Sequence, residues 1–149
     1  MWNEKGNIFC TNVLTKIDFV CKLRLGNTGG RFLKMKPIDQ QQVQEKLDTF
    51  TNKPVYIHLE TTNGAYASHF ENKGVNVGAY IRNAQVTFTN AVIKGDIGYR
   101  VGLKTELGWI YAEGLTDAEI YRGEDLLLAG HDLEGRLMVA LQISEQPFK

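Results

Sequence analysis

Residues 55–70 read Val55-Tyr56-Ile57-His58-Leu59-Glu60-Thr61-Thr62-Asn63-Gly64-Ala65-Tyr66-Ala67-Ser68-His69-Phe70. Up to Glu60 the residues alternate, with Val55, Ile57 and Leu59 on one side and Tyr56, His58 and Glu60 on the other, which is the period of a strand with one buried face. Asn63-Gly64 is the strongest short hairpin signal, so Ala65 to Phe70 is predicted to return beside the first strand. The reading that follows is strand, turn, strand.

The same pattern continues downstream. Runs rich in Val, Ile, Phe and Tyr cover roughly 75–82, 85–93, 99–104, 109–112, 118–122, 126–129 and 136–144. Turn chemistry separates them at Asn72-Lys73-Gly74, Arg82-Asn83, Lys94-Gly95-Asp96, Glu106-Leu107-Gly108, Arg122-Gly123-Glu124 and His131 to Gly135. Spacings of about 8 to 12 residues without helical patterns between them predict a mainly β chain, a distorted antiparallel sandwich or barrel. The last strand sets Leu137, Val139, Leu141 and Ile143 against Met138, Ala140 and Gln142. Both of its faces are fairly apolar, which predicts a central position.

One helix precedes the strands. Asp39 stands where an N-cap would, Gln42 at the position of a capping partner, and Ile38 and Val43 at staple spacing. Val43, Leu47 and Phe50 form one apolar stripe, and Asn52-Lys53-Pro54 ends the helix.

Composition bounds the function. The 149 residues carry 17 basic and 17 acidic side chains. Residues 1–34 hold six basic residues against two acidic, a net of +4; residues 35–149 hold 11 against 15, a net of −4. That acidic balance argues against nucleic acid as a partner, since phosphate contacts need clustered Lys and Arg. No stretch approaches the ~18 consecutive apolar residues of a membrane helix, so no membrane association is expected. Polar residues interrupt the apolar run of a secretory signal, and a transit peptide would be rich in Arg and Ser, whereas this stretch has two Arg and no Ser. The composition break beside Met35 points to 1–34 as an upstream extension and 35–149 as a single β domain. Cys10 and Cys21 are the only cysteines and have no nearby His, which excludes a disulfide framework or zinc knuckle and suggests the reducing cytoplasm.

From Met35 the chain resembles the YojF-like family of small proteins from bacilli. The resemblance lies in Val55 to Ala67, Gly78-Ala79-Tyr80-Ile81-Arg82-Asn83, Tyr99 to Lys104, Gly108-Trp109-Ile110-Tyr111-Ala112-Glu113-Gly114-Leu115-Thr116 and Leu128-Ala129-Gly130-His131. It implies a distorted β-sandwich or barrel with an N-terminal helix, carries no established activity, and hints at low-molecular-weight thiol (bacillithiol) metabolism through a neighbouring zinc-dependent sugar deacetylase.

The candidate site comes from the predicted hairpin. A two-residue turn at Asn63-Gly64 places Glu60 opposite Ala67 and His58 opposite His69, so that His58, Glu60 and His69 share the face away from Ile57, Leu59 and Phe70. Two imidazoles and a carboxylate form a ligand set for a divalent metal such as zinc or iron, and His131 would close the set if the fold brought it near. Without a metal, the same face is a polar pocket for a small molecule or a plain solvated surface. Arg82, Arg100 and Lys104 are candidates for an anion site. Tyr66, Tyr80, Tyr99, Trp109 and Tyr111 are candidates for stacking on a ligand. Ser68 points away from His69 on its strand, so no nucleophile and base pair forms there.

Three functions remain: a small-molecule-binding or accessory module acting with a neighbouring metabolic enzyme, a metal-dependent enzyme on His58, Glu60 and His69, and a structural homodimer closed by edge pairing.

Overall fold

The computed structural model describes residues 35–62 and 78–148, and every structural statement below concerns these. A short β1 (Lys36–Pro37) leads into α1 (Gln40–Phe50), and eight strands follow: β2 (Pro54–Thr62), β3 (Gly78–Thr87), β4 (Asn90–Lys94), β5 (Tyr99–Lys104), β6 (Trp109–Leu115), β7 (Asp117–Tyr121), β8 (Asp125–His131) and β9 (Leu137–Ser144). All ladders are antiparallel. They make a six-stranded sheet, β1-β7-β8-β9-β2-β3, and a three-stranded sheet, β4-β5-β6. Neither closes on itself, so of the two predicted forms the sandwich is the one observed.

The helix forms where its signals place it. Asp39 accepts from the Gln42 N–H at 3.1 Å, and Val43, Leu47 and Phe50 are fully buried. Two of its glutamines reach a sheet edge. Gln44 donates from Nε2 to the Ala91 carbonyl at 2.8 Å and accepts from the Ile93 N–H at 3.1 Å, while Gln40 Nε2 donates to the Ile93 carbonyl at 3.1 Å. The amide of Gln44 thus bonds β4 as a neighbouring strand would, which blocks one edge of the small sheet.

The core lies between the two sheets, with α1 contributing to it. It takes Val55 and Ile57 from β2, Ala91 and Ile93 from β4, Val101 and Leu103 from β5, Leu126 and Leu128 from β8, and Val139, Leu141 and Ile143 from β9. As its two apolar faces imply, β9 is central, hydrogen-bonded to β8 on one side and β2 on the other. The sheets come into close backbone contact at Gly130, where a Cβ would run into the Gly114 carbonyl oxygen.

Two expectations are corrected. Arg82-Asn83 is not a turn between strands. β3 runs straight through it, and Asn83 is an extra residue with φ +55 set between Arg82, which faces His58, and Ala84, which faces Ile57. Asn is a turn residue because it tolerates this left-handed conformation, and a β-bulge uses the same tolerance. The second correction concerns the hairpin. Both edges of β2 are occupied between Tyr56 and Thr61, by β3 on one side and β9 on the other, so the cross-strand partner of His58 is Arg82 and not His69. Non-local ladders outweigh the local signal there. Asn63-Gly64, His69 and Tyr66 lie outside the described residues.

Candidate functional site

Alternation along β2 gives the site its direction. Because Val55 and Ile57 point into the core, Tyr56, His58 and Glu60 project from the other face of the six-stranded sheet. Register extends this into transverse rows. Glu119, Leu127, Gln142, His58 and Arg82 line up across five strands, and beside them Asp117, Ala129, Ala140, Glu60 and Tyr80. The centre of this face is buried: His58, Gln142 and Leu127 are each under 8% exposed.

His58 and Glu60 meet, Nε2 to Oε2, at 3.3 Å. An ionised carboxylate only accepts, so Nε2 carries the proton, and in the neutral ring Nδ1 is a bare acceptor. That Nδ1 is buried without a hydrogen-bond partner, and so is Oε2 of Glu119 in the same row. Burial holds the His58 imidazole below its ordinary value of 6.5; the bond and charge of Glu60 work against this, and the Arg82 cation adds to it. Burial also pushes the Glu119 carboxyl up. The result is a neutral imidazole and an acid of weakened acidity in one row, with Arg82 and Tyr80 exposed at its β3 end.

The remaining sequence candidates divide among separate places. His131 does not join His58. It sits two strands and about five residues along the sheet, roughly 20 Å away by strand spacing and rise, and its Nδ1 lies 2.9 Å from Asp117 Oδ2, which also accepts from the Thr116 hydroxyl at 2.6 Å. Arg100 is on β5 of the other sheet, paired with Glu113 at 2.6 Å, so it shares no site with Arg82. Tyr99 packs against the core; Tyr80 is 74% exposed beside Glu60. Among the described residues no group of three His, Cys, Asp or Glu is placed to hold a metal. The described pair His58 and Glu60 is bonded together, and the cation opposite repels a second cation. Sequence reasoning missed Gln142 and Glu119 as members of the row. Their polar side chains in apolar strands are a signal, but only register shows that they align.

Fold and row define a small antiparallel two-sheet protein whose N-terminal helix is bonded to one sheet edge. Within that class the chain belongs to the family described as "Protein of unknown function (DUF1806)", whose model matches residues 37–148. It is 55% identical over 114 residues to the "Uncharacterized protein YojF" of Bacillus subtilis (strain 168), a match spanning 76% of this chain and 98% of that one. It is also similar to the solved "Crystal Structure of Bacillus subtilis YojF protein", with a TM-score of 0.66 and 50% identity over 78% of this chain and 99% of that chain. The resemblance read from the sequence holds. No described helix is long and apolar enough to cross a membrane.

Proposed function

We propose that the protein is a non-catalytic module that binds a small molecule carrying an acid group beside a hydroxyl or amino donor. The supporting observation is the buried, unpartnered Nδ1 of His58 next to Glu60 and in register with Arg82. A buried acceptor without a partner costs about 1–3 kcal/mol, and a ligand donor recovers it. Glu60 accepts a second donor, Arg82 holds the acid by paired N–H groups, and the exposed Tyr80 ring offers a flat apolar contact. Nothing in the row is placed as a nucleophile, which favours binding over turnover. The link to bacillithiol metabolism, a neighbouring enzyme as partner and a cytoplasmic setting follow from the resemblance and the cysteine usage, and belong to this proposal.

Thermal shift with L-malate, O-phosphoserine and glucosamine 6-phosphate as probes tests it. A concentration-dependent rise in Tm that disappears in Arg82→Gln supports the reading. No rise with any probe, or a rise that persists in Arg82→Gln, overturns it. The metal alternative is decided by elemental analysis of protein purified without a His-tag: stoichiometric metal lost in His58→Ala would replace the binding reading.

One observation favours a homodimer as a second reading. Among the described residues β3 is a ten-residue edge strand with Tyr80 and Ile81 exposed, a surface suited to edge pairing with another copy. Light scattering on a size-exclusion peak tests it, and a strictly monomeric mass removes it.

A further inference from the structure

The outer face of the three-stranded sheet carries an exposed aromatic pair among cations. Between core residues Ala91, Ile93, Val101, Leu103 and Ala112, the alternate positions form three rows: Lys94, Arg100, Glu113; Val92, Gly102, Tyr111; and Asn90, Lys104, Trp109. Trp109 and Tyr111 are about half exposed and stack with centroids 5.6 Å apart and planes 9° from parallel. Gly102 makes this packing possible, because a Cβ there would lie 2.8 Å from Tyr111 Cε1 and 3.4 Å from Trp109 Cε3. The Arg100 guanidinium stands 5.9 Å from the Tyr111 ring. Exposed aromatics in a group normally mark a contact surface.

We infer that this face binds a short segment of single-stranded nucleic acid, with bases on the Trp109–Tyr111 stack and phosphates on Lys94, Arg100 and Lys104. Charge complementarity selects the occupant. Within the three rows three cations face one carboxylate, and Glu113 is already held by Arg100; the other two carboxylates of this segment, Asp96 and Glu106, lie in the turns at the ends of the sheet. The summed −4 of residues 35–149 therefore does not describe this face. A second copy would set like charges against each other. Parallel ring planes repeated at i and i+2, with Arg100 and Lys104 about 13 Å apart on the adjoining strand, suit a run of stacked bases bracketed by phosphates. The open face of a sheet admits unpaired bases, whereas a duplex keeps its base faces inside.

The test is fluorescence anisotropy of the full chain with labelled oligothymidine and oligouridine of about twelve nucleotides at about 50 mM salt. Binding should weaken about tenfold or more in Trp109→Ala/Tyr111→Ala and in Lys104→Glu, and should tighten several-fold in Glu113→Gln, which removes the carboxylate from the rows and frees Arg100. The basic residues of 1–34 are the same in every variant, so the differences read this face alone. Unchanged binding in the aromatic double variant overturns the inference, as does no binding to either oligonucleotide. Heparin is the comparison polyanion: an equal loss of heparin binding in the double variant would make the occupant an anionic polysaccharide and overturn it too. Unaltered melting temperatures show that a loss of binding is not a loss of fold.

Discussion

Asn83 and Phe148 lie 65 residues apart and are joined by two hydrogen bonds: Asn83 Nδ2 donates to the Phe148 carbonyl at 2.5 Å, and the Phe148 N–H donates to Asn83 Oδ1 at 2.6 Å. The bulge in β3 turns this one amide onto the C-terminal segment, where Phe148 is buried. Asn83→Ala removes both bonds and puts a residue that disfavours positive φ into the bulge, so it should cost about 2–3 kcal/mol in urea denaturation. Asn83→Gly relieves the backbone but not the bonds, and should recover about 1 kcal/mol of that loss.

The bond pair from Gln44 to β4 makes a second prediction. Gln44→Ala leaves the Ala91 carbonyl and the Ile93 N–H without their partner at a half-buried edge, for a loss of about 1–3 kcal/mol. Gln41→Ala, which loses an exposed bond to Glu45, should stay within about 0.5 kcal/mol under the same denaturation.

His58 titrates below 6.5 chiefly because it is buried, with Glu60 opposing the shift and Arg82 adding to it. Glu60→Gln should therefore move it further down and Arg82→Gln up, read from ring resonances by NMR. A depressed His gives stability that is intact above 6.5 and lost as pH falls through its folded value, because the unfolded chain then binds more protons. Stability measured from pH 7 down to about 5 should fall less steeply in His58→Gln.

Gly130→Ala should be severely destabilising. Its Cβ would meet the Gly114 carbonyl and come 2.6 Å from Val139 Cγ1, where backbone cannot yield. A loss of about 3 kcal/mol or more is expected, against at most about 0.5 kcal/mol for Gly108→Ala, which meets nothing within 4 Å. Chemical denaturation of the two variants side by side checks the contrast.

Local chemistry explains how much was legible in advance. The helix could be read because cap, stripe and terminator all lie within Asp39 to Pro54. The central place of β9 could be read because Leu137 to Ser144 is apolar on both faces. The face carrying His58 and Glu60 followed from period-two alternation alone. What failed were statements about partners. Asn63-Gly64 speaks only for its neighbours and could not reveal that β3 and β9 would take both edges of β2. Asn83 signals a left-handed backbone without saying whether the chain reverses or bulges.

The sequence by itself therefore determined the strand class, the helix, the direction the residues of β2 and β9 face and the family resemblance, because each depends on residues close together in the chain. Only the tertiary structure decided which residues meet: Arg82 with His58, Asp117 with His131, Glu113 with Arg100, Gly102 beneath Tyr111. Those pairings come from the register between strands, which many distant contacts fix jointly. The charge of a surface follows the same rule, since a chain that is neutral in total and acidic over 35–149 still folds to present three cations around two stacked rings.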